Sequence, residues 1–359
     1  MHQGIRQSVR NNKSQRWSCC TKCVFGTLLY ILIVFILLFL IIFVIVPLVF
    51  KYSVGIQQSI IFPTWVITPK NYSDIEAFGI RGVKNFYVDI EKSPNVTLGV
   101  WQILPSQILS HVLKNDEYNF DGFLTNKNYN ILLYMHGNGA DRTSSIELYE
   151  VLRNYFHIFA VDYRGYGDSS KADMTETGII SDITEMYKWL TDRSKSNIYI
   201  WGHSLGTGVA THLISNLKQE NISTYGLILE TPFTSVTDVM ITHPIVEVYS
   251  YLPWFSVTII NPIIENDLNF DSKKYIVDID CPIMMLHAKD DDIISYRFAT
   301  DLYNKAMNTR NATYQGNITY HLFESVGYGH MLIFKAPELP NYVRNFIDEC
   351  DNFEGRNFF

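Results

Sequence analysis

Gly202-His203-Ser204-Leu205-Gly206 directly follows the apolar run Ile198-Tyr199-Ile200-Trp201 and opens a helix-like stretch through Leu217. A serine on a strand-to-helix turn between two glycines is placed for nucleophilic chemistry. The sharp turn exposes its hydroxyl, and glycine leaves room where a Cβ would strike the strand or the helix. A serine hydroxyl is a poor nucleophile near neutral pH. It needs a histidine to take its proton and a carboxylate to hold that histidine's tautomer.

For a nucleophile on such a turn the partners follow in the order Ser, Asp or Glu, His. Downstream of Ser204, the run Ile283-Met284-Met285-Leu286-His287 ends in an acid-rich turn, Asp290-Asp291-Asp292, followed by Ile293-Ile294. Asp291 is the expected carboxylate and Asp290 the reserve. Asp292 is expected to face solvent or cap the next helix. The base is expected at His330, which ends the glycine-rich loop Ser325-Val326-Gly327-Tyr328-Gly329 ahead of a C-terminal helix, Leu339 to Ile347. His287 and His321 read as strand residues with core roles.

Two backbone amides must face the tetrahedral oxyanion. Leu205, after the nucleophile, supplies one. The other is assigned to Asn138 in His136-Gly137-Asn138-Gly139, where glycines let the backbone approach the substrate. No cluster of His, Cys and Asp at metal spacing is present, and neither is a dinucleotide or phosphate-binding glycine loop. The chemistry is expected to need no cofactor and no metal.

These residues need elements to hold them. Apolar and β-branched runs alternate with helical stretches at the spacing of βαβ units, which predicts a mainly parallel sheet covered on both faces. The predicted strands are 86–90, 98–104, 130–135, 158–162, 197–201, 226–230, 283–287 and 320–324. Eight strands with a serine elbow after the fifth describe an α/β-hydrolase fold. Between the sixth and seventh runs, residues 232–280 form an insertion dense in Pro244, Tyr249, Tyr251, Pro253, Trp254, Phe255 and Pro262. Active sites of such sheets lie at the carboxyl ends of the strands, so the insertion is expected to cap the pocket for an apolar substrate.

Val24 to Phe50 are 27 consecutive uncharged positions. As a helix they span about 40 Å, more than a hydrocarbon core of about 30 Å, so the segment is expected to be a transmembrane anchor. The expected domains are a cytosolic basic tail over 1–23, the anchor over 24–50, a lumenal stem over 51–85 and the hydrolase domain over 86–350. Arg6, Arg10, Lys13, Arg16 and Lys22 precede the anchor with no acidic residue. The positive-inside rule therefore puts the N-terminus in the cytosol and the remainder in the lumen or outside the cell. Sequons at Asn71, Asn95, Asn221, Asn311 and Asn317 are glycosylation candidates in that compartment. Cys19, Cys20 and Cys23 lie beside the anchor as palmitoylation candidates, and Cys281 and Cys350 remain for the far side. Past the tail, acidic residues outnumber basic ones, which excludes a general nucleic-acid role.

The chain resembles the lysophosphatidylserine lipase and monoacylglycerol lipase family of α/β-hydrolase domain-containing protein twelve. The matching stretches are GVW at Gly99, YMHGNGADR from Tyr134, VDYRGYGDS from Val161, WGHSLGTGVAT from Trp201, LILETPFT from Leu227, CPIMMLHAKDD from Cys281, GYGH from Gly327 and KAPELP from Lys335. The resemblance implies a single-pass endoplasmic-reticulum serine hydrolase that cleaves lysophosphatidylserine and monoacylglycerols, with Ser204, Asp291 and His330 as its triad. Its partners would be the lipid substrate and the bilayer. A thioester substrate, residence at the cell surface and a catalytically dead lipid-binding relative are the alternatives. Arg142, Arg164 and Lys171 are candidates for an anionic head group.

Overall fold

The runs of alternating apolar residues pair into one sheet of eight strands: β1 (Val83–Asp89), β2 (Thr97–Ile103), β3 (Asn130–Met135), β4 (Phe156–Val161), β5 (Ile198–His203), β6 (Gly226–Glu230), β7 (Ile283–Ala288) and β8 (Ile318–Phe323). The spatial order is β1-β2-β4-β3-β5-β6-β7-β8. β2 is antiparallel to both β1 and β4, and every pair from β4 onward is parallel. The structure, a computed structural model, describes residues 22–111, 118–324 and 326–353. The basic tail up to Thr21, with Cys19 and Cys20, lies outside them.

Apart from the half-buried Asn130 that opens β3, the inner strands are buried along their length, as a sheet covered on both faces requires. Period-two alternation sends Trp101, Leu132, Tyr134, Ile158, Tyr199, Trp201, Ile228 and Met284 to one face. There they form a core with Leu148, Tyr149 and Leu152 and with Leu339, Val343 and Phe346 of the C-terminal helix. That helix runs Leu339–Asp351, four residues beyond its sequence-predicted end. The helix after β5, Leu205–Gln219, packs on β5 and against the helix Glu176–Arg193.

By their internal contacts the residues form two units. One, over 55–247 and 263–359, contains the whole sheet. It begins with residues 55–61 of the helix Val54–Ile61 and short helical turns at Thr64–Val66 and Ile75–Phe78, where the sequence offers no clear periodicity. Ile61, Phe62, Tyr72 and Ile80 are buried, so this stretch is part of the folded unit.

The other unit joins the described part of 1–54 to residues 248–262, the middle of the insertion. It contains the helix Lys22–Tyr52, 31 residues long and apolar enough to cross a membrane. A π-helical turn at Ile41–Ile45 interrupts it. One such helix fits a single-pass membrane protein.

Candidate active site

Ser204 occupies φ 52° and ψ −118°, a left-handed backbone that a residue with a Cβ adopts only under strain. The turn leaves no space on either side. A Cβ on Gly202 would lie 2.3 Å from the Gly206 carbonyl oxygen, and one on Gly206 would lie 2.2 Å from that of Met135. Backbone hydrogen bonds hold the conformation: Ser204 N donates to Glu230 O at 3.0 Å, and Thr207 N and Oγ1 both donate to Ser204 O. Ser204 is thus fixed by the end of β6 and by the first turn of its own helix.

Asp291 and His330 come together at the ends of β7 and β8. His330 Nδ1 lies 2.7 Å from Asp291 Oδ2. Asp291 Oδ1 accepts the amides of Ile293 and Ile294, each at 2.9 Å. His287 Nε2 lies 3.2 Å from Oδ2 and 2.9 Å from the Ile294 carbonyl oxygen. Burial works against the carboxylate, yet the hydrogen bonds from His287, His330 and the Ile294 amide outweigh it and hold its pKa well below the usual value. The ionised Asp291 can only accept, so Nδ1–H of His330 is the donor in this bond.

The ring of His330 packs against that of His203, the residue before Ser204, at 5.1 Å between centroids. His203 Nε2 donates to the His330 carbonyl oxygen at 3.0 Å. Burial, reinforced by the neighbouring His330, pushes the pKa of His203 down to about 4, so its ring stays neutral. Ser204, Asp291 and His330 are all buried side chains at the carboxyl edge of the sheet. Asp290, the reserve carboxylate, turns away from His330 and binds the loop before it, accepting the amides of Gly327 and Gly329. Asp292 is exposed, and the helix Tyr296–Thr309 that follows is capped by Ser295.

The loop after β3 lies beside the elbow. A Cβ on Gly137 would come within 2.8 Å of His203 Nδ1 and 3.2 Å of Ser204 Cβ, so only glycine lets the backbone pass there. Leu205, the first residue of its helix, is buried next to it. The Asn138 side chain is clamped at both ends: Nδ2 donates to Ile61 O at 2.5 Å, and Oδ1 accepts from Tyr166 Oη at 2.6 Å. Lys70 and Tyr72 both reach Asp141 in the same loop, at 2.7 and 3.0 Å. Residues before β1 therefore brace this loop, through contacts that local sequence patterning does not reveal. His136 is buried between the rings of Tyr163 and Tyr166.

Two of the expected head-group cations are engaged elsewhere. Arg142 is fully buried, ion-paired with Asp162 and Asp168 and stacked on the Tyr72 ring at 4.0 Å. Arg164 makes two 2.6 Å contacts to Asp182. Lys171 is exposed. The sequence shows that these side chains are basic, but their counter-ions come from remote segments.

The five sequon asparagines, Asn71, Asn95, Asn221, Asn311 and Asn317, are all exposed. Cys281 is buried two residues before β7, as core packing expects.

A family model described as the alpha/beta hydrolase fold matches residues 130–242. Among curated proteins, lysophosphatidylserine lipase ABHD12 of Rattus norvegicus is 34% identical over 314 residues, covering 85% of this chain and 77% of the relative. The protein of that name from Danio rerio is 33% identical, with 84% and 80% covered. Protein ABHD12B of Homo sapiens is 32% identical over 269 residues, with 74% and 72% covered. Among solved structures, an esterase of Pyrococcus furiosus superposes with a TM-score of 0.55 at 18% identity, covering 79% of this chain and 96% of its own. A bacterial membrane phospholipase A does so at 0.50 and 14% identity, covering 92% of this chain and 99% of its own; both likenesses bear on the fold alone. The protein is a carboxylic-ester hydrolase of the lipase type. The chain belongs to the ABHD12 family of α/β-hydrolases.

Proposed function

We propose that the protein cleaves the acyl ester of a lysophospholipid, lysophosphatidylserine in the first place, through an acyl-enzyme on Ser204. His330 Nε2 takes the Ser204 proton as the hydroxyl attacks the ester carbonyl and returns it to the departing glycerol oxygen. It then activates the water that releases the fatty acid. Asp291 keeps Nδ1 protonated and steadies the imidazolium. The amides of Leu205 and Asn138 stabilise the tetrahedral oxyanion; losing one such donor typically costs about 10²- to 10³-fold in rate. The observation that carries this reading is the 2.7 Å bond from His330 to an ionised, buried Asp291, with the His330 ring packed on the residue preceding a strained Ser204.

The activity in the names of the relatives, which align over most of this chain, supports this choice of substrate. The apolar helix and basic tail support an enzyme anchored in a membrane with its catalytic domain on the lumenal or extracellular side, and the endoplasmic reticulum is the membrane that the family resemblance implies. Lys171 is the remaining expected cation for the head-group phosphate or carboxylate.

The decisive experiment is fatty-acid release by membranes carrying wild-type or Ser204→Ala protein, supplied with lysophosphatidylserine, lysophosphatidylcholine or a monoacylglycerol. Loss confined to lysophosphatidylserine supports the proposal. Loss only on the monoacylglycerol retains the nucleophile and overturns the substrate, and equal release everywhere overturns the enzyme mechanism. Glycans sensitive to endoglycosidase H would support the lumenal orientation, whereas unmodified sequons in expressed protein would argue against it.

A further inference from the structure

In a regular α-helix the carbonyl of Phe43 would receive the amide of residue 47, but Pro47 has no amide hydrogen to give. The helix responds with the π-helical turn Ile41–Ile45, which closes with Val46 N on Ile41 O. The Phe43 carbonyl takes a donor from far along the chain: Trp254 Nε1 binds it at 2.8 Å. In hydrocarbon no water is present to satisfy a free carbonyl, so this indole has a specific task if Lys22–Tyr52 spans a bilayer.

The contact sets a depth. Phe43 is about 12 Å along the helix from Lys51, at about 1.5 Å per residue. Centring the stretch between Lys22 and Lys51 on a core of about 30 Å puts Phe43 roughly 5 Å inside the hydrocarbon boundary. Trp254 must reach that level. Tyr249 follows it, with its ring 5.7 Å from that of Phe43, and Ser256–Ile260 packs against Val46–Tyr52.

The composition matches such an environment. No charged residue occurs from Val248 through Ile264. Phe255, Thr258 and Ile259 are buried, whereas Tyr251 is 82%, Val248 52% and Val257 51% exposed. Tryptophan and tyrosine are the residues enriched at the level of the head groups.

We propose that Val248–Pro262 is a second membrane-contacting element, anchored by the Trp254–Phe43 hydrogen bond and lying in the bilayer boundary beside the spanning helix, with lipid covering Val248, Tyr251 and Val257. This rests on the reading of Lys22–Tyr52 as a membrane span. It makes the protein both a spanning and a monotopic membrane protein, with one leaflet gripped twice.

The full-length wild-type protein in phosphatidylcholine vesicles, containing a phosphatidylcholine with a diazirine on its acyl chain, is irradiated, digested and mapped by mass spectrometry. Adducts are expected on peptides from both Lys22–Tyr52 and Val248–Pro262. Adducts on the helix alone overturn the proposal, and a helix without adducts overturns the span on which it rests. Trp254→Phe keeps an aromatic ring and removes the donor. A threefold or greater fall in adducts over 248–262, with the helix labelled as before, supports the anchor; unchanged labelling there overturns the anchoring role of Trp254.

Discussion

Asp290 and Gly329 are joined by a 3.0 Å hydrogen bond from the glycine amide to the carboxylate, one residue from the aspartate that binds the imidazole of His330. The other oxygen of Asp290 accepts the Gly327 amide at 2.5 Å. Both glycines have positive φ, 110° and 48°, so the loop follows a path that other residues resist. Adjacent aspartates thus divide the work: Asp290 sets the backbone that carries His330, and Asp291 sets its ring.

Asp290→Asn replaces one carboxylate oxygen with an amide nitrogen that cannot accept a backbone N–H. Because small misplacements of a catalytic group can cost as much as about 10²-fold, kcat is expected to fall about tenfold or more with little change in KM. Steady-state kinetics of the variant check this. A rise in KM at unchanged kcat would place Asp290 in substrate binding instead.

Asp291→Asn keeps the shape of the site and removes the charge that selects the His330 tautomer. A drop in kcat on the order of 10⁴-fold is expected, by the logic of other serine triads. The thermal midpoint is expected to change far less than the rate, and calorimetry beside the kinetics separates the two. An active Asp291→Asn enzyme would mean that another group orients His330.

Glu230 is buried with Trp201 Nε1 donating to Oε2 at 2.9 Å, and burial pushes its pKa up to about 7 despite that bond. A carboxyl with a raised folded-state pKa stabilises fully below its unfolded value and loses that contribution as pH rises through 7. Glu230→Gln is therefore expected to gain stability relative to wild type between about pH 4.5 and 7. The plateau above pH 7 is about 3 kcal/mol, from a shift of about two and a half pH units. Unfolding midpoints of both proteins at pH 5 and pH 8 test it, and a constant difference across that range would refute it.

Arg142→Met leaves Asp162 buried without its cation and removes the bonds to Asp168 and Asn85. Breaking a buried pair by taking one partner costs about 3–5 kcal/mol. The expected signature is a large fall in thermal stability, with the ratio of lysophosphatidylserine to lysophosphatidylcholine turnover unchanged in whatever protein still folds. A selective loss on the anionic lipid would restore Arg142 as a head-group ligand.

Before any tertiary contact is known, the sequence determines the alternation of eight apolar runs with helices, the elbow at Ser204, the order in which Asp291 and His330 follow it, and the long uncharged segment near the N-terminus. Each is a local pattern: side-chain period, steric need for glycine, or length against a bilayer. The tertiary structure decides which of three consecutive aspartates faces His330, because only the fold brings residues 327–330 across the end of β7. It likewise buries Arg142 against Asp162 and Asp168, clamps Asn138 between Ile61 and Tyr166, and gives the Phe43 carbonyl to Trp254. These pairings join residues 20 to 211 positions apart, or set a side chain between two remote segments. No periodicity or motif encodes them, since hydrogen-bond partners at such separations are chosen by tertiary packing.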